Sequence, residues 1–522
     1  MIRALFRSLM LVMLITTSAH AGSSAFLMTL GRDTLAIERA RDEGGRIAGV
    51  TLFRPTGTRV DWTLVLGADG RAEQFTTEVR TAAQAPSDAP AQVAAFVWRG
   101  DSVLVDVQPG HGGHFATTRG SLPYLNPSLA LLEQVVRRAR AATPPLDTVP
   151  VFLTSGGRTL PIAVRAVAAD SVVLDFAGVA FEVRLDGAGR LLAGRVPAQG
   201  VTFTRVESLP EGLLATARPD YSAPTSAGYV VEDVRVPTGG RFTLAGTLVR
   251  PKGKGPFPCA LLLTGSGPQE RDEAIAMVPG YRPFRQIADT LARRGIASLR
   301  LDDRGTGASG GVFAGSTSAD FADDAEDALK WLVEQRSIDR TRIAVLGHSE
   351  GGLIAPMLAS RGVKLAALVL LAAPAWDGRR ILHEQNRFAA AGRFQGASLD
   401  SLLRVADHRV DSLGIADRWT GWFLAHDPLA VARTLRTPPV LLLQGETDRQ
   451  VTAGQADELA AAMRGAGNPS VTVHRLPETD HLFLPDASGD PTGYPRLPVR
   501  LVPPATLGLI ADWLVATMRV AR

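Results

Sequence analysis

The 522-residue sequence contains a single cysteine, Cys259, so no disulfide can form within one chain. Aromatic residues make up 6% and charged residues 21% of the sequence, and the formal net charge is only +4. The sequence lacks runs of lysine and arginine with interleaved aromatic residues, the pattern of a surface that follows phosphates. We therefore expect no nucleic-acid partner. Cys259 lies in an apolar run and is expected to pack as a small hydrophobic residue in a strand.

Long hydrophobic runs are also missing beyond the N-terminus. The run at 365–373 is far shorter than the roughly 18 residues that cross a bilayer and fits a buried strand better. The first residues differ, because Arg3 and Arg7 precede a short apolar stretch and a small-x-small triplet ends at Ala21. This pattern predicts a signal peptide at 1–21 and an exported protein, periplasmic or secreted, without stable membrane insertion.

The composition is that of a globular protein, with 45% apolar residues. The chain is too long for one compact core, so two domains are expected. Residues 22–210 contain short β-branched or alternating runs separated by turn residues, which predicts a β-rich N-terminal domain. A helical pattern at 128–142 interrupts these runs, and two small sheets split around that helix are one possible arrangement. The proline-containing stretch at 211–228 is expected to be a linker.

Beyond the linker, strand-like runs alternate with helical ones. Several of the runs are continuously apolar, as at 367–371, which is typical of parallel strands buried on both faces. Residues 229–522 are therefore predicted to form an α/β domain with a mostly parallel sheet of about eight strands. A largely helical insertion at 377–436 is expected to form a cap.

The motif Gly347-His348-Ser349-Glu350-Gly351 fits the pattern G-x-S-x-G. It follows an apolar strand pattern and opens a helical one, which is the setting of a serine nucleophile on a sharp turn. Ser349 is the predicted nucleophile. The amide of Glu350, at the N-terminus of the following helix, is predicted to face a developing oxyanion.

A serine nucleophile needs a histidine base, and the sequence contains nine histidines. His481 follows the predicted strand at 471–476 and precedes the last helix, which is where this fold carries its base. The orienting acid should follow the apolar run at 440–444. Asp448 is the predicted acid, and Glu446, which lies earlier in the same turn, is the alternative.

The loop at 264–269 follows the third strand of the predicted sheet and is rich in glycine. The amide of Ser266 is the predicted second oxyanion donor, with Gly267 as the alternative. The loop at 302–307 is expected to be structural, since the Gly-Lys-Ser/Thr signature of a phosphate loop is missing. The stretch at 111–114 offers two histidines but no third ligand. No metal and no cofactor are therefore expected.

Taken together, these motifs resemble those of bacterial α/β-hydrolases related to EstD-type carboxylesterases and to serine aminopeptidase-like hydrolases. The matching stretches, in chain order, are 264–272, 303–309, 347–352, 445–448 and 480–483. The resemblance covers residues from about 229 to 520 and does not extend to the N-terminal domain. It implies hydrolysis of carboxylic esters with small or medium acyl chains, without a cofactor.

The same catalytic groups also serve thioesterases and peptidases, so these stay open as alternatives. A non-catalytic binding protein is disfavoured because no member of the triad is missing. Aminopeptidase action would need acidic groups in the insertion, for which Glu384, Asp400 and Asp427 are candidates. The N-terminal domain is a candidate for contact with a partner or polymer. Aromatic residues of the insertion are candidates to line an acyl pocket: Trp376, Phe388, Trp419, Trp422 and Phe423.

Overall fold

The fold is taken from a computed structural model of the chain. It describes residues 22–31, 33–54, 57–81, 89–108, 112–209, 213–214, 219–224, 226–275, 277–391 and 394–520. The predicted signal peptide and His111 lie outside the described residues. No described helix combines the length and apolarity that a membrane span requires.

The first part of the chain forms one large sheet of fifteen strands. The strands are β1 (Gly22–Leu30), β2 (Asp33–Asp42), β3 (Arg46–Phe53), β4 (Thr58–Leu66), β5 (Ala72–Arg80), β6 (Gln92–Arg99), β7 (Ser102–Gln108), β8 (Gly113–Ala116), β9 (Leu122–Tyr124), β10 (Thr148–Leu153), β11 (Thr159–Ala168), β12 (Ser171–Phe176), β13 (Val179–Leu185), β14 (Leu191–Val196) and β15 (Val201–Val206).

The strand order of this first sheet is β8-β7-β6-β5-β4-β3-β2-β1-β15-β14-β13-β12-β11-β10-β9. All neighbours are antiparallel except β9 and β10. The suggested split into two small sheets is therefore wrong. The two halves are joined because β1 pairs with β15 along six residues, from Ala25 opposite Val206 to Leu30 opposite Val201.

One helix, α1 (Leu129–Ala141), packs against this sheet. Its buried residues point in almost every direction around the axis, and they belong to the same hydrophobic cluster as strand residues such as Phe75 and Phe152. The buried carboxylate of Glu38 accepts hydrogen bonds from the amides of Leu129 (2.7 Å) and Ala130 (2.9 Å). Glu38 thus satisfies two of the amides that a helix leaves without an internal partner.

The second sheet has eight strands in the order β16-β17-β19-β18-β20-β21-β22-β23. They are β16 (Tyr229–Pro237), β17 (Thr243–Pro251), β18 (Phe257–Leu263), β19 (Ala297–Leu301), β20 (Ile338–His348), β21 (Ala367–Leu371), β22 (Val440–Gly445) and β23 (Val471–Leu476). The six strands from β18 to β23 are parallel. The strand β17 runs antiparallel to both of its neighbours, β16 and β19.

Nine described helices accompany this sheet. They are α2 (Pro283–Arg293), α3 (Ser318–Glu334), α4 (Glu350–Ser360), α5 (Gly378–Ala391), α6 (Gly396–Ala416), α7 (Arg418–Ala425), α8 (Pro428–Ala432), α9 (Gly454–Gly465) and α10 (Pro504–Thr517). Two hydrophobic clusters, one on each face, cover the strands. The predicted α/β-hydrolase fold with a β-rich region before it is confirmed, and α5 to α8 occupy the predicted insertion.

Candidate active site

Ser349 is the single residue between the end of β20 and the start of α4. Its backbone has φ 52° and ψ −113°, a conformation that non-glycine residues rarely adopt. A Cβ atom on Gly347 would lie 2.1 Å from the carbonyl oxygen of Gly351, and one on Gly351 would lie 2.1 Å from that of Leu263. Both glycines are therefore required for the turn that leaves the half-buried Ser349 at the carboxyl edge of the sheet.

His481 and Asp448 lie side by side at the same edge. Nδ1 of His481 is 2.8 Å from Oδ2 of Asp448. The other carboxylate oxygen accepts the amides of Gln450 (2.8 Å) and Val451 (2.9 Å), and the side-chain amide of Gln444 donates to Oδ2 (2.9 Å). Four donors therefore fix the carboxylate, which in turn orients the imidazole ring.

The two neighbouring acids have other surroundings. Glu446 is exposed, and it is Asp448 that contacts the ring of His481. Asp480 accepts the amides of Leu482 and Leu484, each at 2.9 Å, and so caps the loop that carries His481.

The predicted oxyanion loop packs directly against the nucleophile. A Cβ atom on Gly265 would lie 3.4 Å from Cβ of Ser349. The amide of Gly265 itself donates to Oε1 of Glu273 at 2.6 Å and is therefore engaged. Ser266, the predicted donor, is the next residue and is exposed, and the alternative, Gly267, has φ +95°.

A pair that the sequence reasoning missed lies beneath the nucleophile. Nδ1 of His348 is 2.8 Å from Oε1 of Glu273, and Nε2 of His348 is 2.9 Å from the backbone carbonyl of His481. Burial disfavours a charged imidazole, but the Glu273 carboxylate and these hydrogen bonds prevail and raise the pKa of His348. The ring of His348 and the carboxylate of Glu273 thus connect the loop of the predicted base to the oxyanion loop.

Glu350 contributes its side chain as well as its amide. The amide lies at the N-terminus of α4, next to Ser349, where it was predicted to face an oxyanion. The buried carboxylate accepts the hydroxyl of Ser318 and, at 2.8 Å, the indole N–H of Trp419. Burial raises the pKa of this carboxyl group. Trp419 on α7 thereby connects the helical insertion to the nucleophile turn.

Buried ion pairs hold the loops around the site. Arg271 donates from Nε and Nη2 to both oxygens of Asp302, at 2.9 and 2.8 Å. Arg300 pairs with Asp272, and both side chains are almost completely buried. Paired, hydrogen-bonded charges of this kind favour one loop conformation. These contacts agree with the structural role expected for the loop at 302–307.

The other aromatic and acidic candidates of the insertion are mostly engaged elsewhere. The indole N–H of Trp376 donates to Glu458 at 3.0 Å. Trp422 and Phe423 pack against the core, while Phe388 is 38% exposed. Among the acids, Glu384 pairs with Arg387, and Asp427 caps α8. In the described part of the chain, no group of three or more His, Cys, Asp or Glu side chains is arranged to hold a metal ion.

Three features define the class of protein to which the chain belongs. The second sheet is mostly parallel, a serine lies on the strand-to-helix turn after β20, and a histidine–aspartate pair follows later strands. The protein is an α/β hydrolase. Residues 239–481 match the X-Pro dipeptidyl-peptidase (S15) family.

Relatives of this chain carry the names of three kinds of hydrolase. It is 28% identical to esterase EstD of Thermotoga maritima over 304 residues, 57% of this chain and 70% of EstD. It is 25% identical to the uncharacterized peptidase YuxL of Bacillus subtilis, across 54% of this chain and 38% of YuxL. It is 24% identical to the peroxisomal succinyl-coenzyme A thioesterase of Mus musculus, across 62% of this chain and 82% of the thioesterase.

Among solved structures, the esterase Pf2001 of Pyrococcus furiosus is similar, with 18% identity and a TM-score of 0.40. The similarity covers 57% of this chain and 95% of that esterase. The sequence similarity to EstD confirms the resemblance to EstD-type hydrolases that the motifs indicated.

Proposed function

We propose that the protein hydrolyses carboxylic esters of small or medium acyl chains through an acyl-enzyme intermediate. The observation that carries this proposal is the strained turn at Ser349, where the preceding residue, His348, donates to the carbonyl of His481 and the ring of His481 contacts Asp448. The oxyanion loop packs against the same turn, because a Cβ atom on Gly265 would lie 3.4 Å from Cβ of Ser349. Similarity to EstD supports an ester substrate.

In this mechanism Nε2 of His481 takes the hydroxyl proton of Ser349 as the oxygen attacks the ester carbonyl. Asp448 holds the ring with Nδ1 protonated and stabilises the imidazolium that forms. The amides of Glu350 and Ser266 donate to the oxyanion. His481 then gives its proton to the leaving alkoxide, and an attacking water repeats the cycle to release the acid.

Peptide hydrolysis is the second candidate, favoured by the match to the S15 family. An aminopeptidase would need a carboxylate for the substrate ammonium, and two of the three candidates in the insertion already contact other groups. Thioester hydrolysis by the same groups is supported only by the similarity to the mouse thioesterase.

The test compares p-nitrophenyl esters from acetate to palmitate, aminoacyl p-nitroanilides and acyl-coenzyme A thioesters. Ser349→Ala should lower kcat for the preferred ester by at least about 10³-fold, because the nucleophile is lost. Ser360→Ala is the matched control, since Ser360 ends the same helix and its hydroxyl donates to the carbonyl of Met357. Faster turnover of anilides or thioesters would change the substrate class. Full activity of Ser349→Ala would refute the mechanism.

A further inference from the structure

A large cavity lies between the first sheet and the second. Its volume is about 1270 Å³, above the roughly 300–1,000 Å³ of most ligand pockets. Strands from both halves of the first sheet form one wall, and the loops at 268–274 and 302–308 form the other, with linker residues 219–223 beside them. The triad residues Ser349, Asp448 and His481, all within the described part of the chain, do not line it.

The wall from the first sheet is apolar. Its lining includes half-buried side chains that pack on the first hydrophobic cluster while they face the cavity: Met28, Val60, Tyr124, Phe176, Val179 and Phe181. The rings of Tyr124 and Phe176 lie 4.6 Å apart. Covering such a surface with hydrocarbon stabilises a complex because it removes apolar area from water.

The opposite wall is polar, and its charged groups are paired with one another or hydrogen-bonded to neutral groups. Arg271 binds Asp302 with two hydrogen bonds and also contacts Asp233. Glu270 accepts the hydroxyl of Tyr221 (2.8 Å) and two backbone amides. The Arg271 guanidinium also lies over the Tyr221 ring, 4.2 Å from its centroid.

Arg235 donates to the carbonyl of Ala308, and Asp220 accepts the amide of Ser222. Both of these partners are neutral, but the side chains of Arg235 and Asp220 are exposed, so water screens their charges. The more buried part of the wall offers hydrogen-bonding groups whose charges are paired or already hydrogen-bonded. A ligand charge placed there would have no free partner of opposite sign, at a cost in desolvation.

We propose that this cavity binds an amphiphile with a hydrocarbon chain and an uncharged polar head group. The chain lies against the first sheet, and the head group lies against the loops at 268–271 and 305–308. None of the triad residues lines the site, and binding there can be measured without catalysis.

Two sources of such a ligand are possible, and both have the same chemistry. The loop at 264–271 borders the cavity through Gln269 and Glu270 and the nucleophile through Gly265. The hydrocarbon is therefore either the acyl chain of an ester substrate or the chain of a second molecule.

Binding is tested with N-phenyl-1-naphthylamine, a neutral probe that fluoresces in apolar sites, on the full Ser349→Ala chain. Three ligands with the same ten-carbon chain then compete with the probe: decanol, decanoate and decyltrimethylammonium. Decanol should displace it at concentrations at least tenfold lower than either charged ligand. Equal or better displacement by a charged ligand overturns the proposal, as does the absence of probe binding.

Variants that fill the cavity test whether the probe binds there. Val60→Trp and Val179→Trp, each combined with Ser349→Ala, should weaken probe binding at least tenfold because the indole occupies the space of the chain. Val167→Trp is the matched control, since Val167 is 57% exposed on β11 and lies outside the lining. Unchanged binding in both filled variants, with the folded circular dichroism spectrum retained, overturns the proposal. The displacement series uses no cavity variant, so it tests the proposal even if a filled variant does not fold.

Kinetics with Ser349 intact distinguish the two sources. A raised KM for p-nitrophenyl decanoate in Val179→Trp, with acetate unchanged, assigns the site to the substrate's acyl chain. Unchanged kinetics for both esters, together with weakened decanol binding, assign it to a second ligand. Failure of the esterase proposal would instead appear as a lack of Ser349-dependent turnover and would leave the binding results intact.

Discussion

At the scale of single residues, the nucleophile turn shows how sequence determines geometry. A backbone conformation like that of Ser349 costs of the order of 1–3 kcal/mol and persists only where the surroundings enforce it. The amide of Ser349 donates to the carbonyl of Leu371 at 2.9 Å, and glycines on both sides allow β20, α4 and β18 to approach closely. The strain therefore holds the hydroxyl in one place before any substrate arrives.

The loop that carries His481 contains a carboxyl group with unusual proton affinity. Burial raises the pKa of Asp480 from 3.8 to about 7, and nearby acids such as Asp486 add to the effect. Between these values the unfolded chain loses its proton while the folded protein keeps it. The contribution of Asp480 to stability therefore falls as pH rises from about 4 to 7 and levels off above 7.

We predict that Asp480→Asn removes this pH dependence, because asparagine stays neutral and keeps an oxygen for the amides of Leu482 and Leu484. The stability of the variant relative to the natural chain should rise by up to about 4 kcal/mol between pH 4 and pH 7. Urea unfolding at several pH values measures this. Asp400→Asn, at an exposed position, is the control. Parallel stability curves for Asp480→Asn and the natural chain would rule out the assignment.

The residues of the candidate site differ in how visible they are in the sequence. Ser349, Asp448 and His481 could be selected because each follows an apolar strand pattern in the order of the fold. Glu273 and His348 could not be paired in this way, because 75 positions separate them and no local pattern reports a buried contact. The charged run at 270–273, directly after the glycine-rich loop, was the one sequence feature that could have drawn attention to Glu273.

At the scale of elements, α1 depends on a residue from a distant strand. Glu38 on β2 accepts hydrogen bonds from the hydroxyls of Ser128 and Thr51 as well as from the first amides of the helix. Removing a buried acceptor leaves its donors unpaired, at about 1–3 kcal/mol for a group.

We predict that Glu38→Ala destabilises the first sheet by about 3–5 kcal/mol, and that Glu38→Gln, which keeps one oxygen, costs about half as much. Thermal or urea unfolding provides the measurement. Glu78→Ala is the control, because Glu78 is a half-exposed partner of Arg80 and such pairs contribute about 0–1 kcal/mol. Equal losses for Glu38→Ala and Glu78→Ala would show that the helix does not depend on this carboxylate.

Most elements could be located from hydrophobic periodicity, and their pairing could not. The helix predicted at 128–142 is α1, with bounds that differ by one residue at each end. The second sheet followed from the alternation of strands and helices, since parallel strands need crossover connections. The first sheet did not, because the pairing of β1 with β15 joins residues about 180 positions apart and neither strand carries a sign of its partner.

At the scale of the whole molecule, the two sheets have separate cores. The cluster under the first sheet and those around the second share no residue. Polar bonds join the two parts: the hydroxyl of Thr81 donates to the carbonyl of Gly307, and Arg500 donates to Asp33, each at 2.7 Å. Contacts of this kind couple two cores only weakly.

We predict two unfolding transitions in calorimetry. Phe75→Ala, at a fully buried position of the first core, should cost about 3–5 kcal/mol and lower one transition by roughly 10 °C. Leu442→Ala, in the second core, should lower the other. A single transition that both variants shift equally would show that the sheets unfold as one unit.

The pairing of β1 with β15 also determines the order in which the chain can fold. Strands β2 to β8 each pair with the strand before them, so they can add one at a time as the chain leaves the ribosome. The second edge of β1 stays uncovered until β15, which ends at Val206, has been synthesised. Because every residue of the hydrolase sheet is synthesised later, the N-terminal sheet can close before the nucleophile turn exists.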